Sequence, residues 1–216
     1  MSRSIQTPIS DLRHIRSLME RSRYFIGLSG LSGVGAGVFG LVGVGFILAY
    51  QWAAGQDIGM VAQHLPAAAH PWGIAPLPFL FLTGSITLLG ALGCGWYFTR
   101  RRVRKLGHQL LDEKTYKLLL NLALPLVAGG VFCLALIYHG IGGLIGPTTL
   151  IFYGLALING SSFVSEELRA LGYMELVLGL VALFFLGYGL YCWGVGFGLL
   201  HIGYGLWMYR NYDAHE

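Results

Sequence analysis

The sequence predicts an all-α protein, a polytopic transmembrane helix bundle of about six spans arranged as three hairpins. Three observations carry that expectation. Of 216 residues, 55% are hydrophobic and only 11% are charged, less than half the charged share of about 25% that a water-exposed domain carries. The apolar residues fall in stretches near the roughly 20 needed to cross a hydrocarbon core. The 14 lysines and arginines alternate with the spans rather than scattering among them. A mean hydropathy of +0.64 agrees. The 33 glycines suit membrane helices, whose backbones approach closely where side chains are small.

Residues 1–24 read as a cytoplasmic segment, with Arg3, Arg13, Arg16, Arg21 and Arg23 and a helix start at Ser10 and Asp11. Ile9, Leu12, Ile15, Leu18 and Met19 recur at helical spacing, so an amphipathic interfacial helix on the membrane surface is expected. A cleaved signal peptide is not, since the apolar stretch that follows is too long and no small-x-small site closes it. A single transmembrane domain over 25–209 then holds spans at 25–50, 72–99, 118–139, 145–160, 171–187 and 190–209. The second ends abruptly in Arg100, Arg101, Arg102, Arg104 and Lys105, and Asp112, Glu113, Lys114 and Lys117 lead into the third. Gly140, Gly142, Gly143, Gly146 and Pro147 make the turn into the fourth. A polar connector at 161–169, a glycine-rich turn and a cytoplasmic tail at 210–216 complete the chain.

Every lysine and arginine lies in the N-terminal segment, the 100–117 connector, the 161–169 connector or the tail, and the other three loops carry only Asp57. An even number of crossings produces that alternation. The positive-inside rule then places both termini in the cytoplasm, and a bacterial inner membrane is the expected location. The net charge of +4 and pI near 9.0 suit anionic membrane lipids as partners and not nucleic acid. Cys94, Cys133 and Cys192 sit in apolar stretches without ligand spacing and read as small core residues.

Gly30, Gly33, Gly37 and Gly40 recur at intervals of three and four in the first span, and Gly194 and Gly198 at four in the sixth. Such faces admit another helix at short range. Ordinary packing within the chain is preferred over a homo-oligomer interface or a membrane-protein partner. Gly33, Gly35 and Gly37 fall close to a dinucleotide fingerprint, but no strand precedes them. Tyr153-Gly154-Leu155 recurs as Tyr204-Gly205-Leu206, a slight echo between the second and third hairpins.

Ionisable residues inside membrane spans are costly and are functional candidates by default. Glu175 is placed about four residues inside the cytoplasmic end of the fifth span and His201 about eight inside that of the sixth. At 1.5 Å per residue their depths differ by about 6 Å, so a hydrogen bond or ion pair between them is expected. Asn121, Asn159 and Tyr204 fall in the same cytoplasmic third, and the five would line a shallow cavity opening inward. Two readings stand: a proton relay, since histidine titrates near neutral pH, or polar glue worth about 0.6 kcal/mol per contact. Asn121 and Asn159 belong with the glue.

No catalytic arrangement is present, and the chain is not expected to be an enzyme. No cofactor is expected either: His139 and His201 lie at different depths, which disfavours a bis-histidine haem. No metal site is expected, because Asp57, His64 and His70 do not converge. The stretches at 19–33, from Met19-Glu20-Arg21-Ser22 to Leu28-Ser29-Gly30-Leu31-Ser32-Gly33, and at 196–205, Gly196-Phe197-Gly198-Leu199-Leu200-His201-Ile202-Gly203-Tyr204-Gly205, resemble a family of small inner-membrane proteins of Bacteroidetes-type bacteria. That resemblance implies span number and bacterial origin but no activity. Two functions remain. One is a non-enzymatic module that transports or senses a small solute or proton; the other is a structural or accessory subunit of a membrane complex.

Overall fold

The computed structural model describes residues 29–55, 70–105, 113–164 and 166–213, and within them the chain is helical with no strand. The expected amphipathic helix at 1–24 lies outside these residues. The described residues form six helices in order: α1 (Gly30–Ala54), α2 (Pro76–Lys105), α3 (Glu113–Tyr138), α4 (Ile145–Gly160), α5 (Glu166–Phe184) and α6, which covers 189–213. α6 changes geometry along its length, being α-helical over Gly189–Trp193, π-helical over Gly194–Leu200, α-helical again over His201–Met208 and π-helical over Tyr209–Asp213.

Sequence punctuation accounts for the ends. α1 stops at Gly55, whose φ of 66° is left-handed and whose N–H reaches back to the Gln51 and Trp52 carbonyls. That backbone shape suits a residue without Cβ. Between α3 and α4, Gly140 at φ 76° and the short 3-10 turn Gly142–Leu144 reverse the chain. Two boundaries differ from the sequence reading. α2 runs on through Lys105, so Arg100, Arg101, Arg102 and Arg104 form its last turns instead of a loop. α5 begins at Glu166, five residues before the apolar stretch does. In both cases charged residues continue a helix that hydropathy alone would end. Helix formation needs only backbone hydrogen bonds and fair propensity, and Arg, Glu and Leu have it.

Among the described residues, four helical segments are long and apolar enough to cross a membrane: Gly30–Ala54, Pro76–Lys105, Thr115–Tyr138 and Gly142–Gly160. The fifth helix holds Glu166, Glu167, Arg169 and Glu175 within 19 residues, and the sixth is divided by its π segments. The six pack as a row with α6 near the middle. α1 lies on one side of α6, α4 and α5 on the other, and α2 and α3 are the outer members, packed chiefly on α1 and α4 respectively. The outward faces of α2, α3 and α5 are apolar: Leu89 is 68% exposed, Leu124 73% and Phe184 83%. Apolar patches of that extent need a non-aqueous neighbour. The chain is a membrane helix bundle.

Glycine seams bring the inner helices together. A Cβ built on Gly37 would lie 2.6 Å from the Gly198 carbonyl oxygen, and one on Gly40 2.5 Å from that of Phe197. Gly30 and Gly33 lie against Gly205, and Gly194 faces Val44. The glycine faces of α1 and α6 are therefore turned towards each other within one chain. A second seam joins α4 to α5, where Cβ atoms on Gly154 and Gly172 would stand 2.7 and 2.9 Å from each other's carbonyl oxygens.

One hairpin end is closed by aromatic rings. Tyr50 is fully buried, stacks on Phe79 at 4.2 Å between centroids, meets Trp72 edge-on at 5.6 Å and donates its hydroxyl to the Ile74 carbonyl at 2.5 Å. Tyr50→Phe keeps the stack and leaves that carbonyl without its donor. A loss of about 1 kcal/mol is expected, read by denaturant titration in detergent.

Candidate functional site

Three helices place three polar side chains at their midpoints. Glu175 is nine residues from either end of α5, His201 is the residue at which π geometry returns to α in α6, and Tyr153 is central in α4. At 1.5 Å per residue, Glu175 is about 14 Å along the axis from each end of its helix. The sequence reading put it only four residues inside the span. The extra turn at Glu166 accounts for the difference.

The three meet. His201 Nδ1 is 3.3 Å from Glu175 Oε1 and 3.0 Å from the Gly196 carbonyl oxygen. Its Nε2 is 2.8 Å from the Tyr153 hydroxyl. A carbonyl can only accept, so Nδ1 carries a proton and donates it to Gly196. With the ring neutral, Nε2 is then the acceptor and the Tyr153 O–H donates to it. Glu175 is 0% and His201 6% exposed. Protein encloses the pair, and the expected inward-opening cavity does not reach Glu175. Neither Glu175 oxygen makes a hydrogen bond among the described residues, the Nδ1 contact being at ion-pair distance only.

Glycine and π geometry make the approach possible. A Cβ on Gly196 would collide with Glu175 Oε2 and stand 2.6 Å from Leu150 Cδ2, so glycine there lets the carboxyl sit where it does against the α6 backbone. π-helical turns are rare and recur at functional sites; here seven residues of π helix end at the histidine. Phe197 lies beside it, 4.9 Å from the Tyr153 ring and 5.9 Å from His201 between centroids, with Trp193 tilted behind at 4.8 Å.

The other expected members divide: Tyr204 shares a hydrophobic cluster with Tyr153, and the two asparagines bond elsewhere. Tyr204 packs on the cluster of Leu118, Leu157, Val164, Leu168 and Leu171, three residues beyond His201 along α6. Asn159 donates to the Asn121 backbone carbonyl at 2.8 Å, and Asn121 donates to the Lys117 carbonyl of its own helix at 2.8 Å. Both bonds go to backbone, the behaviour of groups that join helices. Tyr153 went unread as a site residue, although the repeated Tyr-Gly-Leu marked it. No group of three or more metal-binding side chains occurs among the described residues. Comparison of the chain with family models, with curated proteins and with solved structures finds no match.

Proposed function

We propose that this chain is a non-enzymatic module of the bacterial inner membrane that transports or senses a small solute or proton, with Glu175 and His201 as its working pair. The observation that carries the proposal is a carboxyl group with no exposed surface, held at mid-helix, without a hydrogen bond among the described residues and 3.3 Å from an imidazole. Polar glue satisfies its polar atoms; this group does not, and a buried carboxyl retained at such cost calls for a use.

In this proposal all six helices cross the bilayer and both termini face the cytoplasm. Antiparallel packing supports it, because Arg100–Lys105 of α2, Lys117, Arg169 and Arg210 gather at one end of the row. α5 holds four charged residues and turns the deepest of them, Glu175, towards α6 with no exposed surface, where a charged residue belongs. Bacterial origin rests on the resemblance of residues 19–33 and 196–205. The alternative of an accessory subunit drew on glycine faces for docking, and those of α1 and α6 are occupied by each other.

Glu175→Gln preserves shape and removes the charge. In proteoliposomes or intact cells it is expected to abolish a pH-dependent flux or signal while the protein elutes and melts as the parent does. An unchanged response sinks the proposal and favours an accessory role.

A further inference from the structure

Granting that Glu175 and His201 are the working pair, we infer that the species they hold is the proton itself, shared between the two side chains and delivered through the Tyr153 hydroxyl. Space and ligand count argue against the other occupants. A hard cation such as calcium gathers six or more oxygens. Around the carboxyl the structure offers its own two oxygens and the Gly196 carbonyl, which already accepts from Nδ1. An organic solute needs room, and Glu175 is shut in by Gly196, Leu150 and His201 with no exposed surface. A proton needs neither room nor a coordination shell.

Charge argues in the same direction. With the carboxyl ionised and the imidazole neutral, the pair carries −1 in an apolar interior; taking up one proton brings it to zero. An uncompensated buried charge is far costlier than a neutral or paired group. Among the described residues the carboxyl's ion-pair contact is with His201. The titratable groups facing the pair are Tyr153 from α4 and Tyr204 from α6 itself. α1 turns Val44, Leu41 and glycines towards α6, and α3 reaches this region through Leu118 and Leu122.

The contacts order a complete transfer. An arriving proton bonds to Tyr153 Oη as the hydroxyl's own proton passes to His201 Nε2. The Nδ1–H bond breaks and its proton joins a Glu175 oxygen, closing the 3.3 Å gap. The net change is one proton gained, with carboxylate turned to carboxylic acid, tyrosine restored and histidine neutral in its other tautomer. Nδ1 then points a lone pair at the Gly196 carbonyl, where it had pointed a proton. Loading therefore works against the contact between the ring and the π segment.

The test is infrared difference spectroscopy of the purified full chain between acidic and alkaline buffer, in sodium and in potassium salt. The expected result is a carboxylic-acid band that disappears in Glu175→Gln, persists but shifts in Tyr153→Phe, and ignores the choice of cation. Tyr153→Phe is also expected to slow proton uptake after a pH jump at least tenfold. A band or uptake that moves tenfold or more in response to sodium or potassium overturns the proton as the species and leaves the working pair standing. A spectrum identical in parent and Glu175→Gln overturns the inference as well. The response lost or kept by Glu175→Gln in the flux or signalling assay separately decides whether the pair works at all. Tyr153→Phe removes one hydroxyl only and keeps the question answerable if Glu175→Gln fails to fold.

Discussion

Gly205→Ala is expected to destabilise the protein by about 3 kcal/mol, the upper part of the usual range for overpacking. A Cβ there would stand 2.5 Å from the Val34 nitrogen and 2.6 Å from the Gly30 carbonyl oxygen. Both are backbone atoms of α1. No rotamer change relieves the clash, and the helices must separate along the seam. Gly203→Ala on the same helix is the control, since a Cβ there meets nothing within 4 Å; it should be neutral or slightly stabilising, because alanine has the better helix propensity. Unfolding by detergent titration checks both. Equal midpoints for the two variants would refute the seam.

The second large effect is expected at the polar pair. His201→Leu leaves a fully buried carboxyl beside a leucine with its polar neighbour gone, which is expected to cost about 3 kcal/mol. The double variant Glu175→Leu with His201→Leu removes the stranded group as well. It is expected to recover most of that loss, since replacing a buried pair by apolar residues is often neutral or stabilising. Single losses near 0.6 kcal/mol would match ordinary interhelical polar contacts in membranes and would demote the pair to glue. A double variant that is stable but silent in the flux or signalling assay would separate the work of these residues from folding.

How far the sequence could be read follows from what each residue signals. Glu175 and His201 are legible because ionisable groups stand out in an apolar stretch, and the antiparallel neighbours bring them to similar depth. Their burial is less legible. Hydropathy puts the start of the fifth span at Leu171, whereas the helix starts at Glu166 and carries Glu175 to its middle. Tyr153 is a poor signal in isolation, because tyrosine is common in membrane helices and its partner lies 48 residues away. The three-and-four-residue rhythm of Gly30, Gly33, Gly37 and Gly40 announces a packing face, but which helix it meets depends on topology. The α4–α5 seam at Gly154 and Gly172 lacks even that rhythm, because each helix contributes glycines too sparsely to form a stripe. The π geometry of α6 leaves no periodic trace. Gly194, Gly196 and Gly198 lower the side-chain crowding that would oppose it, and they do not demand it.

The central place of α6 also bears on how the molecule is made. Of the six helices it emerges last from the ribosome, yet it covers both the glycine face of α1 and the carboxyl of α5. Until it arrives, the first helix lacks its mate and Glu175 has no imidazole beside it in the lipid. The earlier five must be held in place through the synthesis of about 25 further residues, roughly one to five seconds at ordinary rates of synthesis. Arrest of translation before Gly189 should therefore yield a species that membrane proteases remove.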